Sequence, residues 1–328
     1  MLNAKITGIA SYVPDYVLTN DELSRMVDTS DEWITTRVGI KERRILKKEN
    51  TGSAYMGTIA VNRLLESLAT AAADVELIIC ATSNPDYRFP STASVIAHDC
   101  GAANAYAYDI QAACAGFIVA LQSAAAYIKC GMYKKVVVVA AEKMSSMTNY
   151  KDRSTCPLFG DAAGAVMVEP TQEQGVGVID GVFHVDGVGL PHLLMKAGGS
   201  FRPASHETVD ADEHYVYQEG RAVYRHAVTD MYTSSLSVMK RNGLTVDDID
   251  WFVPHQANLR IIEAVGDRIK IDRAKVLVNI EHYGNTSAAS IPLCLDENKG
   301  KLKKGDKIVL TAFGAGFTWG AMYVVWAI

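Results

Sequence analysis

Two stretches decide the fold: AYAYDIQAACAGFIVAL at residues 105–121 and VLVNIEHYGNTSAASIPLCL at residues 276–295. Each opens with an apolar run of strand length, passes through a polar turn and enters a helix built from small residues. Outward from them the same rhythm recurs. The runs 76–82 (ELIICAT), 105–110 (AYAYDI) and 135–141 (KVVVVAA), then 249–253 (IDWFV), 276–280 (VLVNI) and 306–312 (DKIVLTA), predict six strands rich in Val, Ile and Ala between longer helical stretches. Runs this continuously apolar imply sheets buried on both faces, which places the chain in the α/β class. The six strands form two similarly spaced triplets, the trace of a duplicated β-α unit. We therefore expect two related halves, 1–172 carrying Cys114 and 173–328 carrying His255 and Asn285, with no low-complexity linker between them.

A chain of 328 residues with 49% hydrophobic content can fill two domain-sized cores or one intimate pair of halves. Its formal net charge of -5 and pI near 5.9 argue against nucleic-acid binding, which needs a basic face. The six cysteines are scattered, without a CxxC pair or zinc-ligand spacing, so most are expected to be buried thiols and no metal is expected. MLNAKITGIA lacks the charge-then-apolar pattern of a signal peptide, and no apolar run reaches membrane-spanning length. The expectation is a cytoplasmic protein.

Loops at the carboxyl ends of parallel strands converge on one crevice, so Cys114, His255 and Asn285 can meet despite their separation. Cys114 follows a predicted strand and opens an apolar helix, where free N–H groups and the helix dipole favour a thiolate. Lowering a thiol pKa from about 8.5 to about 7 takes roughly 2 kcal/mol, the most a partly buried helix end supplies, so a second favourable contact is expected. An inert buried thiol is the alternative. His255 in VPHQAN sits between a strand and a helix, as a reactive imidazole or as a cap. Asn285 in HYGNTSAAS reads equally as a turn or capping residue. Gly314, Ala315 and Gly316 follow a strand and are small enough to bring a backbone N–H against a ligand, or simply to turn the chain between two strands. No helix follows them, which weakens a dinucleotide site.

Taken together, DTSDEWITTRVGIKER (28–43), DIQAACAGF (109–117), FGDAAGA (159–165), VPHQANLRII (253–262), HYGNTSAAS (282–290) and AFGAGFTWG (312–320) resemble, in order and spacing, the ketoacyl-acyl carrier protein synthase III family along essentially the whole chain. The resemblance implies a thiolase-like fold, two α-β-α-β-α halves forming a five-layered core, and a homodimer. It implies a decarboxylative Claisen condensation: Cys114 takes the acyl group of a short acyl-CoA, and His255 with Asn285 stabilises the enolate formed as malonyl-acyl carrier protein loses CO2. The backbone N–H groups of Cys114 and Ala315 would hold the oxyanion. By the same resemblance Thr29, Trp33, Arg37, Arg153, Gly220, Ala257 and Asn258 contact CoA, Arg225 and Arg260 dock the acyl carrier protein, Phe159 and Phe313 line the primer pocket, and Phe89 closes that pocket from the partner subunit. No cofactor is implied, since the acyl-CoA and the malonyl thioester are substrates. Three departures stand out: Ala315 where many relatives have Gly, which strains only a residue of positive φ, Arg221 at a position that is often Asn, and Asp267 with Arg268 where a second basic pair stands near the tunnel mouth. A priming enzyme of polyketide or signal-molecule synthesis, a Cys-dependent thioester hydrolase and a non-catalytic carrier-binding subunit are the alternatives.

Overall fold

The computed structural model describes residues 2–328. Its framework is two sheets that share one interior. The first has five strands, in spatial order Asn3–Tyr12, Asp161–Thr171, Val136–Lys143, Leu77–Ala81 and Tyr106–Ile110. The second has four, in the order Trp251–Pro254, Lys307–Gly314, Thr318–Val325 and Gly177–Val185. Five of the six expected strands form. The neighbours of Leu77–Ala81 in the first sheet, and of Trp251–Pro254 in the second, pair with it in parallel, as the β-α pattern requires.

The sixth expected strand, 276–280, does not form. Val276 keeps only an isolated parallel bridge to Phe252, with Leu277 N–H donating to Phe252 O at 3.0 Å. Side-chain bonds replace the rest of the ladder: Gln256 Nε2 donates to Leu277 O at 3.3 Å, and Asn279 N–H donates to Gln256 Oε1 at 3.0 Å. The chain then turns into a short helix, Ile280–Tyr283. The bridge nonetheless occupies, beside Trp251–Pro254, the place that Tyr106–Ile110 occupies beside Leu77–Ala81. Four strands outside the six, Asn3–Tyr12, Asp161–Thr171, Gly177–Val185 and Thr318–Val325, close the antiparallel sides of the two sheets.

Period-two alternation sorts each strand between layers. Leu77, Ile79 and Ala81 face inward with Val253, Ile308, Leu310 and Met322 onto the helices Gly116–Lys129 and Ser290–Glu297, which are sandwiched between the sheets. Ile78, Cys80, Val137 and Val139 face outward onto Ser53–Ser67 and Thr92–Asp99. Phe252, Val309, Ala321 and Tyr323 face the helices Gly220–Arg241 and Leu259–Ile269. The result is five layers, α-β-α-β-α. Small residues let the middle layer sit close: a Cβ on Gly164 would meet Pro292 Cβ at 2.7 Å. Of the six cysteines, Cys80, Cys156 and Cys294 are buried, Cys100 and Cys114 half-buried, and Cys130 exposed, all as free thiols. Among the described residues no helix is long and apolar enough to cross a membrane.

Candidate active site

Both central helices start from an elbow of the same kind. Ala113 (φ 46°) begins the one-turn helix Ala113–Ala115 that leads into Gly116–Lys129, and Ser287 (φ 51°) begins Ser287–Ala289, which leads into Ser290–Glu297. A non-glycine residue in the left-handed region costs on the order of 1–3 kcal/mol and persists only where its surroundings hold it. Here the strain places Cys114 and Ser287 against each other, with Ser287 Oγ 3.6 Å from Cys114 Sγ.

Cys114 lies where two cavities meet. The larger, about 740 Å³, is lined by Trp33, Arg37, Arg221, His255, Asn285 and Phe313 among others. The smaller, about 420 Å³, is lined on its apolar side by Met144, Met147, Phe159 and Leu194, and on another side by Ala315 and Gly316. Cys114 and Asn285 belong to both.

Burial pushes the Cys114 thiol up to about 12, against the hydroxyl of Ser287, which lowers it. Burial in the sandwiched layer and the helix dipole thus act on this thiol in opposite directions. The Ser287 hydroxyl stands where a second favourable contact is expected beside the helix end.

His255 is 1% exposed. Burial drives its imidazole down to about 3, so it is neutral at physiological pH. Its Nδ1 lies 2.6 Å from Ser290 Oγ, and that oxygen also accepts from Gln256 N–H at 3.3 Å. The Ser290 hydroxyl then donates to an unprotonated Nδ1, which puts the single imidazole hydrogen on Nε2, a buried nitrogen without a protein partner among the described residues. A neutral N–H donor thus lies on the wall of the larger cavity. Asn285 is held through its backbone, its N–H donating to Leu158 O at 2.7 Å, while its Oδ1 accepts from Ser287 N–H at 2.8 Å. With that oxygen occupied, the amide NH2 is what Asn285 offers the cavities. Two neutral donors suit a developing enolate oxygen, and neither requires a strong base.

Ala315 lies in the hairpin turn between Lys307–Gly314 and Thr318–Val325, on the smaller cavity, and it is not among the residues of positive φ. Its departure from Gly therefore carries no backbone strain. Gly314 is the position without tolerance: a Cβ there would meet Cys114 N at 2.6 Å and Ala113 Cβ at 3.0 Å. No rotamer relieves a clash with backbone. Gly314→Ala is expected to slow acyl-enzyme formation by about 100-fold or more, by displacing a donor of oxyanion-hole type, while the melting temperature falls only a few degrees. Single-turnover acylation and a thermal melt check this.

Of the residues expected at CoA, Trp33, Arg37, Gly220, Ala257 and Asn258 line the larger cavity, as does Arg221, whereas Thr29 and Arg153 do not. Arg153 stands beside its mouth, with its guanidinium 5.1 Å from the Trp33 ring centroid and 3.2 Å from Asp28. Asn258 also caps Leu259–Ile269, its side chain accepting from Arg260 N–H at 2.9 Å. Arg260 lines the larger cavity and lies 5.9 Å over the Tyr224 ring; Arg225 is exposed outside it. Within one chain the three phenylalanines stand apart. Phe159 lines the smaller cavity, Phe313 lines the larger one because its strand faces the outer helices there, and Phe89 is 86% exposed and lines neither. Sequence reasoning missed Ser287, Ser290 and Glu142. Ser287 and Ser290 fall within HYGNTSAAS, whereas Glu142 lies in no motif and only follows the expected strand 135–141.

Comparison with known proteins decides the family. Residues 108–187 match the 3-oxoacyl-[acyl-carrier-protein (ACP)] synthase III family, and residues 239–326 match its C-terminal counterpart. A beta-ketoacyl-[acyl-carrier-protein] synthase III 2 of Bacteroides thetaiotaomicron is 57% identical over 99% of this chain and 97% of its own length. The chain belongs to the 3-oxoacyl-[acyl-carrier-protein] synthase III family. A Porphyromonas gingivalis member is 56% identical over 99% of this chain and 97% of its own. The solved structure of the Aquifex aeolicus synthase III superposes with a TM-score of 0.90 at 43% identity, covering 98% of this chain and all of that one. Membership in the synthase III family makes the chain a condensing enzyme of the acyltransferase type, and its five layers are the thiolase-like fold.

Proposed function

We propose that this enzyme joins a short acyl-CoA to malonyl-acyl carrier protein with loss of CO2, giving a 3-ketoacyl-acyl carrier protein and so initiating dissociated fatty acid synthesis. The observation that carries this reading is one thiol at the junction of two unlike cavities, flanked by two neutral donors. Cys114 attacks the thioester, and the N–H groups of Cys114 and Ala315 hold the tetrahedral oxygen. The larger cavity suits CoA, with Trp33 and Arg153 at its mouth, Arg37 and Arg221 for phosphate, and Gly220, Ala257 and Asn258 along its wall. The smaller apolar cavity suits the acyl chain, with Phe159 on its wall.

After CoA leaves, malonyl-acyl carrier protein takes the same route. His255 Nε2–H and the Asn285 amide donate to the enolate oxygen as CO2 departs, and the enolate carbon attacks the acyl-cysteine. Arg260 and exposed Arg225 supply local positive charge for an acidic carrier on a chain of net charge -5. An 86% exposed Phe89 fits a homodimer in which this side chain enters the partner's acyl site. The 1–172 and 173–328 halves then each contribute one elbow, in a cytoplasmic enzyme that works with substrates alone and holds no resident cofactor.

The test is intact-mass spectrometry after incubation with acetyl-, propionyl-, isobutyryl- and octanoyl-CoA, then addition of malonyl-acyl carrier protein. A single acyl adduct discharged onto the carrier with two added carbons is the expected result. No adduct with any primer, or hydrolysis to free acid regardless of carrier, overturns the reading.

A further inference from the structure

Among the described residues the side chain of Asn285 has one hydrogen-bond partner, Ser287 N–H, so its aim depends on the backbone that carries it. That backbone is held by an isolated parallel bridge to Phe159, in which Asn285 N–H donates to Leu158 O at 2.7 Å and Gly160 N–H donates to Asn285 O at 3.1 Å. A bridge with no ladder on either side is a weak hold. Arg43, the last residue of the motif DTSDEWITTRVGIKER, backs it and has no part in the scheme above. It lies on the short strand Glu42–Arg44 and is 0% exposed. Its stem packs against both glycines that flank the bridge: a Cβ on Gly160 would meet Arg43 Cβ at 3.1 Å, and one on Gly284 would meet it at 3.4 Å.

The guanidinium of Arg43 is forked between two segments. Nη2 donates to Pro157 O at 2.8 Å, one residue before the Leu158 carbonyl that holds Asn285. Nη1 donates to Leu18 O at 3.0 Å and to Asn20 Oδ1 at 2.9 Å. Asn20 is buried as well, and its Nδ2 donates at 2.8 Å both to Asp31 Oδ1 and to Ile40 O, beside the two ends of the helix Asp31–Val38 that carries Trp33 and Arg37. All three acceptors of Arg43 are neutral, and no carboxylate pairs with it among the described residues. A buried cation without a counter-charge is costly, so what this position uses is the rigid fork of the guanidinium, which holds two segments in one fixed relation.

Resting on the condensing reading, we propose that Arg43 is a positioning residue for decarboxylation: by fixing the segment 157–160 it aims the Asn285 amide at the enolate oxygen, and it has no role in acyl transfer to Cys114. None of its acceptors lies on the elbow of Cys114 or on the turn that carries Ala315. His255 is held separately, through Ser290. The effect of Arg43 therefore passes through Asn285 alone of the two donors. A displacement of about 1 Å in such a donor costs on the order of 100-fold in rate.

Arg43→Met keeps an unbranched stem against the two glycines and removes the fork. The test reads two half-reactions: acylation at saturating acetyl-CoA by quenched intact mass, and labelled CO2 release from malonyl-acyl carrier protein per acylated molecule. Counting per acylated molecule excludes unfolded protein from the rate. Arg43→Met is expected to acylate within about fivefold of wild type and to release CO2 about 100-fold more slowly. In an Asn285→Ala background, itself slowed about 100-fold, adding Arg43→Met should cost less than about threefold more, because the group it positions is already gone. Losses that multiply in the double variant, equal losses in both half-reactions, or wild-type CO2 release in Arg43→Met each overturn the proposal. Should Arg43→Met not fold, Arg43→Lys decides: with the charge kept and the fork lost, CO2 release should fall about tenfold with acylation retained, and an unchanged or evenly slowed enzyme overturns it. Absence of any adduct in wild type would instead fell the condensing reading on which this role stands.

Discussion

Cys114→Ala gains no mass on incubation with any acyl-CoA and loses condensation by at least about three orders of magnitude, since no other group can take the covalent role. The reason is positional. Cys156 and Cys294 are buried, with thiols pushed up to about 11 and far above the ordinary range respectively, and Cys130 is exposed on the surface away from both cavities. The two half-reactions should come apart in this variant. His255 and Asn285 keep their hydrogen bonds to Ser290 and Ser287, so loss of CO2 from malonyl-acyl carrier protein persists without a ketoacyl product. Labelled CO2 release beside intact mass gives both readings at once. A full adduct in Cys114→Ala would remove Cys114 from its role.

His255→Ala divides the reaction the other way. Acylation is expected to stay within about tenfold of wild type, because the hydrogen bond to the Cys114 sulfur comes from Ser287 and not from the imidazole, which is engaged with Ser290. Decarboxylative condensation should fall by roughly 100- to 1,000-fold, the cost of one donor to a developing oxyanion. Loss of acylation alone would instead make His255 the base of a protease-like Cys–His pair.

The same variant has a pH signature in stability. The folded imidazole sits near 3 and the unfolded one near 6.5, so the unfolded chain binds the extra proton between those values. Wild type is thus fully stable with respect to this group above about pH 6.5 and loses stability as pH falls toward 3, by about 2 kcal/mol already at pH 5. His255→Ala lacks that component, so its melting temperature falls less between pH 7 and pH 5. Equal falls in both proteins would contradict the neutral buried imidazole.

The continuous apolar runs at 77–81, 136–139 and 308–312 declared strands buried on both faces, and the small-residue helices after Cys114 and Asn285 declared a packed middle layer. Those features follow from local pattern, which period and composition carry directly. The strand expected at 276–280 failed because Gln256, twenty residues upstream, supplies the hydrogen bonds that a ladder would have made; no local window contains that substitution. The motifs gave the positions of Cys114, His255 and Asn285, and with the family pattern their chemistry.

Their electrostatic state lay outside the sequence. A helix terminus visible in the chain favours a thiolate, while the desolvation that opposes it comes from a second sheet and a second helix brought over the first. The Nε2 tautomer of His255 depends on Ser290, and the hydroxyl beside Cys114 comes from Ser287, 173 residues away along the chain. Sequence determined the layers and the reactive residue types. Tertiary structure alone decided which groups are charged, because the free energy of a charge depends on what surrounds it in three dimensions and not on what precedes it in the chain.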